Sequence, residues 1–256
     1  MSKMKTVIVN LLKFIPQSLR KKTFGAIRRT LTYDDILMPK VMFEHIGRLK
    51  SFGYKPNIVI DIGAYVGAWT EQVLSLFPNA HFLLFEAQQS KIPNLDRLSQ
   101  KHHNVSYNNV LLGAEQREKV VFFEMETGSS VFEENTDYKR ERITLPMTTL
   151  DLQLATVELK GSCLMKLDVQ GSELEVLSGA TKTLDHVDVI LIEASVLAYN
   201  EGAPLINDIF AFMKQIGFVL FDICDEKRLS SKILLQVDLI FVRENFSLRN
   251  NIDLSK

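Results

Sequence analysis

The chain has 256 residues, a formal net charge of −1 at pH 7 and 46% hydrophobic residues. That is enough for one large α/β domain with an appendage, and the near-neutral charge gives no reason to expect a nucleic-acid partner. No apolar run reaches the roughly 18 residues of a membrane-spanning helix, and the N-terminus lacks the apolar core and cleavage site of a secretory signal, so a cytoplasmic protein is expected.

Residues 1–55 read as a basic helical extension. Lys3, Lys5, Lys13, Arg20, Lys21, Lys22, Arg28 and Arg29 all precede the first acid, Asp34. Val7, Ile8, Leu11, Leu12, Phe14 and Ile15 lie between them at helical spacing. Two readings stay open. The basic face lies on an anionic membrane surface, where each basic residue is worth about 1 kcal/mol, or the helices pack on the main domain with that face solvated. A second helix is predicted over 34–52, with Leu37, Val41, Ile46 and Leu49 facing inward and Gly53 suiting the stop. A lid over a ligand crevice is a further option for this region, and His45 sits on a side that would then face the crevice.

Residues 56–245 alternate strand and helix. Strands are predicted at 58–61, 81–86 and 105–111, with helices at 67–77 and 89–101 between them. A hairpin-like excursion follows, with strands at 119–124 and 142–147 flanking a polar loop over 126–141. The alternation resumes with a strand at 163–168, a helix at 173–184, a strand at 188–194 and a helix at 204–216. Pro204 opens that last helix and Gly217 closes it. Strands at 218–223 and 235–242 complete the domain, and residues 246–256 read as a polar tail. The unbroken apolar run Val189, Ile190, Leu191, Ile192 indicates a strand covered on both faces. The fold class is α/β, a doubly wound and mainly parallel sheet, with its ligand above the carboxyl ends of the strands at the switch point. Cys163 and Cys224 fall in apolar runs and read as buried reduced thiols, with a structural disulfide as the alternative.

The first predicted strand ends in Asp61-Ile-Gly63-Ala64-Tyr65-Val-Gly67, and the second ends in Glu86. Strand–turn–helix–strand units of this kind bind nucleosides, with a carboxylate at the second strand tip accepting from the ribose hydroxyls. A dinucleotide turn reads G-x-G-x-x-G; here an acid stands where the first glycine belongs. A carboxylate there repels a pyrophosphate and attracts a cationic amino-acid moiety. The ligand preferred is a positively charged nucleoside, which describes S-adenosylmethionine and disfavours NAD. Tyr65 and Trp69 both read as packing residues, although Tyr65 lies in the same turn and is also a candidate ligand contact.

A second cluster, Lys166, Asp168, Gln170 and Glu173, crowds the end of the 163–168 strand. A lysine in a buried strand must find a partner or lose its charge, and Asp168 or Glu193 would serve. Glu173 reads equally as a helix N-terminal acid, worth about 0.3–1 kcal/mol. His102 and His103 fit a solvated helix end. Neither His81 nor His186 has a metal-ligand partner at recognisable spacing.

Together the two stretches resemble the FkbM family of S-adenosylmethionine-dependent methyltransferases, with its patterns D-x-G-A-x-x-G and K-x-D-V-Q-G-x-E-x-x-V-L-x-G-A. Lys166 through Ala180 carries the second pattern, and Phe85-Glu86-Ala87, Thr149-Leu150-Asp151 and Leu191-Ile192-Glu193 fall where the family has similar residues. The resemblance spans about 55–243 and implies a seven-stranded Rossmann-like methyltransferase sheet. It also implies O-methylation of a hydroxyl, commonly on sugars, polysaccharide precursors or other natural products. Carried over, Asp61, Gly63 and Gly67 would hold the methionine end of the cofactor, alongside Ala64 and Tyr65. Glu86 would bind the ribose, Ala87 would lie beside the adenine, and Asp168 would lie near the methionine moiety and the acceptor. Asp168 is the first candidate for general base, with Glu193 and Glu173 behind it, and Lys166 would orient that base or stabilise alkoxide charge. Asp168 and Glu193 do not by themselves define a metal cage, so no metal is expected. The acceptor expected is a glycan or glycolipid precursor, and the basic N-terminus favours one carrying phosphate or lipid. Methylation of a small natural product or a nitrogen, and binding without turnover, are the alternatives. Nothing in the sequence indicates the oligomeric state.

Overall fold

The computed structural model describes residues 40–136 and 139–250. The chain divides into two compact units, 1–38 and 39–256, and the described residues belong to the second. The basic segment with its lid and membrane readings, the start of the helix predicted over 34–52, and the tail beyond 250 lie outside the described residues.

Helix α1 (Lys40–Ser51) carries Ile46 and Leu49 inward, each only 1% exposed. It packs against the helix Ala68–Leu76 and the strand Phe218–Arg228. Strand β1 (Ile58–Ile62) is an apolar run buried at all its positions. It is followed by α2 (Ala68–Leu76), β2 (His81–Glu86), a 3₁₀ turn at Gln89–Lys91, α3 (Ile92–Lys101) and β3 (Val105–Asn109). The excursion comprises β4 (Leu111–Leu112), β5 (Arg117–Glu124), a 3₁₀ turn at Glu126–Gly128 and β6 (Glu141–Thr148). Next come α4 (Leu150–Gln153), β7 (Cys163–Leu167), α5 (Glu173–Ser178), α6 (Thr181–Leu184) and β8 (Val187–Ser195). Helix α7 (Ile206–Gln215), β9 (Phe218–Arg228), β10 (Leu234–Arg243) and α8 (Ser247–Asn250) finish the described chain.

The seven-stranded sheet runs β3-β2-β1-β7-β8-β10-β9, parallel except where β10 meets β8 and β9. Order reverses between β1 and β7, which places a crevice above their carboxyl ends. Both strands are buried throughout, as their continuous apolar runs require. Each fully buried Val, Ile, Leu or Phe contributes about 1.5–3 kcal/mol, and Val59, Ile60, Phe82 and Ile190 are all 0% exposed. Cys163 and Cys224 are free and buried.

Three local features differ from the sequence expectations. The strand predicted over 105–111 is two strands, because Asn109 Nδ2 donates to Glu86 O at 2.7 Å and Val110 N to the same carbonyl at 3.0 Å, turning the chain off the main sheet. There β4 pairs with β6, and β5 runs antiparallel to β6, forming a second sheet over Leu111, Phe122 and Met147. The helix predicted over 173–184 is also broken in two at Gly179. A Cβ at Gly179 would lie 2.1 Å from Gly113 O, and Asp151 caps the following turn by accepting from Thr183 N at 2.8 Å and Lys182 N at 2.9 Å. Finally, His45 is paired with Asp222 in mid-β9, Nδ1 to Oδ2 at 2.7 Å, with Arg48 donating to the same oxygen at 3.1 Å.

Candidate active site

The turns after β1 and β7 meet backbone to backbone. Asp168 N donates to Ile62 O at 3.1 Å. A Cβ on Gly63, which sits at φ 74°, would lie 2.0 Å from Asp168 O. Gly67, at φ 78°, precedes α2 and lies against α3, where a Cβ would meet Leu98 Cδ2 at 2.6 Å. Close backbone approach therefore demands glycine at 63, and the left-handed backbone favours it at both positions. Between them Ala64 is buried and Tyr65 adopts a left-handed φ of 50°.

Asp61 is fully buried. Its Oδ2 accepts from Thr70 Oγ1 at 2.7 Å, and its Oδ1 lies 3.3 Å from Lys166 Nζ. Lys166 also lies 3.4 Å from Asp168 Oδ2 and 3.4 Å from Gly63 O. The sequence points to Asp168 or Glu193 as its partner; the buried partner is Asp61, reached because β1 and β7 pair Asp61 with Lys166 in register. Asp168 is its second partner, and Glu193 pairs instead with Gln170. Burial alone would discharge Lys166, but Asp61 and then Asp168 outweigh it and hold the ammonium charged. Two carboxylates against one ammonium leave one negative charge facing the crevice, suited to a cationic ligand.

Glu86 ends β2 and is 5% exposed. Its Oε2 accepts from Tyr65 N at 2.7 Å and its Oε1 from Gln88 N at 2.8 Å, while burial raises its pKa. Each oxygen keeps a lone pair for a further donor. Beside it, Gln88 Oε1 is buried without a hydrogen-bond partner. A buried orphan acceptor costs about 1–3 kcal/mol until a donor meets it. A carboxylate with spare lone pairs next to an orphan acceptor fits a nucleoside, whose ribose hydroxyls and base amine are donors. Ala87 packs against the core of the second sheet.

The polar loop after β5 closes over these turns. Glu126 pairs with Lys91 Nζ at 2.7 Å and accepts from the Tyr65 hydroxyl, and its carbonyl accepts from Gln88 Nε2 at 3.0 Å. Lys91 Nζ stands 4.6 Å from the Tyr65 ring centroid, a cation–π contact. Further along, Ser130 Oγ donates to Gln170 O at 2.7 Å, and Asn135 N to Tyr199 O at 2.7 Å. None of these tethers is readable from local pattern.

On the other side of Asp168 lies a polar face from β8, β9 and β10. The Asp168 side chain is 40% exposed, which leaves it accessible at the crevice. Gln170 Nε2 donates to Asp168 Oδ1 at 3.0 Å and to Glu193 Oε1 at 2.8 Å. Burial, then the charge of Asp168 and Asp238, raises the pKa of Glu193; Asp238 stands opposite it across β8 and β10 and is itself raised to about 7, first by burial. Glu173 is buried and pushed up to about 7, also by burial. Its Oε1 accepts from Val169 N at 3.3 Å and Gly171 N at 3.1 Å, so it braces the turn that carries Asp168. Among the described residues no group of three or more His, Cys, Asp or Glu side chains is disposed to hold a metal ion. The sequence motifs single out residues 61–67, 86, 87, 166, 168 and 193 but not the bridging role of Gln170, although it stands in the second motif. Gln88, Glu126, Tyr199 and Asp238 also escape them, since no motif signals a role for any of the four.

A mainly parallel seven-stranded sheet with helices on both faces defines a class, the doubly wound Rossmann-like α/β proteins. Within it the assignment is specific: the family described as the methyltransferase FkbM domain matches residues 61–220, and the chain belongs to that family. Its cofactor is S-adenosylmethionine. Similar solved structures include methyltransferase FkbM from Methylobacillus flagellatus KT, at 11% identity and TM-score 0.48 over 72% of this chain and 43% of that one. The chain thus spans less than half the length of that protein. An S-adenosylmethionine-dependent methyltransferase from Clostridium acetobutylicum aligns at 9% identity and TM-score 0.47 over 87% and 98% of the two chains. Magnesium protoporphyrin IX methyltransferase from Synechocystis, solved with bound cofactor, aligns at 10% identity and TM-score 0.43 over 90% and 85%. No curated protein sequence matches the chain. No helix among the described residues is long and apolar enough to cross a membrane.

Proposed function

We propose that the chain transfers the methyl group of S-adenosylmethionine to a hydroxyl of a sugar in a polysaccharide or glycolipid precursor. The observation that carries this reading is Asp168: accessible at the crevice, 3.4 Å from the buried Lys166 ammonium and hydrogen-bonded to Gln170.

When bound, the cofactor supplies a methyl group on a sulfonium, which leaves as a neutral thioether. Glu86 and Gln88 would hold the nucleoside and the 63–67 turn the methionine end, where the net negative charge of Asp61, Lys166 and Asp168 favours a cation. Asp168 accepts the acceptor's hydroxyl proton as the oxygen attacks, an effect worth about a hundredfold to ten-thousandfold. Lys166, kept charged by Asp61, steadies the charge developing on that oxygen and is unsuited to act as the base. Alignment of the two reactants supplies the larger share, about 7–11 kcal/mol. Asp168, Glu193 and Asp238 form a rim of acceptors suited to a ligand rich in hydroxyl donors. The basic N-terminal extension, residues 1–55, supports an acceptor attached to phosphate or lipid, met at the inner face of the membrane.

The test is transfer of carbon-14 methyl from S-adenosylmethionine to sugar nucleotides and lipid-linked glycans, with the product mapped by NMR. An O-methyl sugar formed by the wild type, and at least a hundredfold more slowly by Asp168→Asn with cofactor binding retained, is the expected result. An N-methyl product, or full turnover by Asp168→Asn, defeats the reading.

A further inference from the structure

Gln170 occupies a place that ordinary packing does not explain. Its backbone is left-handed at φ 53°, which costs a non-glycine residue about 1–2 kcal/mol. Its carbonyl is fastened from two separate loops, by Ser130 Oγ at 2.7 Å and Asn200 Nδ2 at 2.9 Å. Its side chain reaches Asp168 Oδ1 at 3.0 Å and Glu193 Oε1 at 2.8 Å. Beyond it, Tyr199 OH lies 3.3 Å from Gln170 Oε1, and Gln236 Nε2 lies 2.7 Å from Tyr199 OH.

Chemistry fixes the direction of this chain of hydrogen bonds. Gln170 Nε2 stands within hydrogen-bond distance of a carboxyl oxygen of Asp168 and one of Glu193, and its two N–H groups can serve both, so the NH₂ end of Gln170 faces the pair. Its Oε1 then faces Tyr199, which must donate to it. Burial raises the Tyr199 pKa and keeps that proton on the phenol. With its proton committed, Tyr199 accepts from the NH₂ of Gln236. Every donor therefore points toward the two carboxylates.

We infer that Gln170, locked by Tyr199 and Gln236, is a positioning residue that ties Asp168 and Glu193 together through its amide and holds Asp168 oriented toward the acceptor. The inference rests on the proposed role of Asp168 as base. It assigns to the loop contacts of Ser130 and Asn200 a purpose, namely keeping Gln170 in its left-handed conformation.

The test is a titration of the full chain with carbon-13-labelled glutamate carboxyls, following Glu193, whose resonance is identified through Glu193→Gln. Gln170→Gly removes the amide and relieves the left-handed strain, and Tyr199→Phe leaves Gln170 in place but frees its amide to turn. A carboxylate that loses a donor becomes easier to protonate. The Glu193 midpoint should rise by about one pH unit in Gln170→Gly and by less in Tyr199→Phe. Asp168, Asp238, Glu173 and Lys227, which face Glu193, are unaltered in both variants, and Tyr199, which also faces it, is altered only in Tyr199→Phe. A purely structural Gln170 would change melting and leave the midpoint in place; an unmoved midpoint in both folded variants overturns the inference. The titration needs no acceptor, so its failure is separable from a failure of methyl transfer.

Discussion

Lys166 Nζ and Asp61 Oδ1 lie 3.3 Å apart on adjacent strands of the sheet, with side chains 6% and 0% exposed. A buried ion pair of this kind contributes little net stability, because desolvation offsets attraction, but breaking it strands a charge. Here the pair stands directly beneath Asp168, so it also sets the charge of the crevice floor.

Lys166→Met should therefore destabilise the chain by about 3–5 kcal/mol, measured by urea unfolding. Lys166→Met with Asp61→Asn should recover more than half of that loss, since the substituted amide keeps an acceptor for Thr70 without a charge. Equal losses in the single and double variants would show that the pair is not what the single variant lost.

Gly63→Ala tests the contact between the two turns. A Cβ there meets Asp168 O at 2.0 Å and the backbone is at φ 74°, so a loss above about 2 kcal/mol is expected, with the turn bearing Asp168 displaced. Gly47 in α1 has nothing within 4 Å of an added Cβ, and Gly47→Ala should stabilise by about 0.5–1 kcal/mol. The contrast, read from urea midpoints, separates a glycine required by close approach from one that is merely tolerated.

Much of this is legible in the chain itself. The apolar runs at Ile58–Ile62, Cys163–Leu167 and Val187–Ser195 define the parallel core, because strands buried on both faces cannot alternate. Asp61, Glu86 and Lys166 are visible because each is a charge at or beside the end of such a run. What escapes is set by contacts distant in sequence. Lys166 has neighbouring Asp168 within reach, yet its buried partner lies 105 positions away on β1. The break at Gly179 is held by Asp151, whose N donates to Gly179 O and whose carboxylate caps the next turn, and the tether of Glu126 to Tyr65 and Lys91 joins segments with no shared periodicity. Gln170 stands out as a motif letter, but its bridging geometry depends on Tyr199, which no pattern marks.

Glu173 makes a prediction about pH. Its carboxyl is pushed up to about 7 in the folded chain, above the ordinary value of 4.5, so the folded state holds its proton more tightly than the unfolded state does. Its contribution is fully present below about pH 4.5 and is lost as pH rises through about 7. Glu173→Gln, which keeps an oxygen for Val169 N and Gly171 N, should flatten this part of the stability profile and be the more stable variant at about pH 8, by on the order of 1–3 kcal/mol. Urea midpoints at several pH values measure it; an unchanged profile would show that Glu173 is ionised in the folded chain at neutral pH.

The cleft between the turns that carry Glu86 and Asp168 is where cofactor binding must be decided, and calorimetric titration tests it most directly. The full chain and Glu86→Ala are each titrated with S-adenosylmethionine, S-adenosylhomocysteine and NAD. The expected result is micromolar binding of both sulfur nucleosides by the wild type, its loss in Glu86→Ala, and no binding of NAD. Binding of NAD alone, or sulfur-nucleoside binding that Glu86→Ala leaves intact, would contradict the cofactor site described for this cleft.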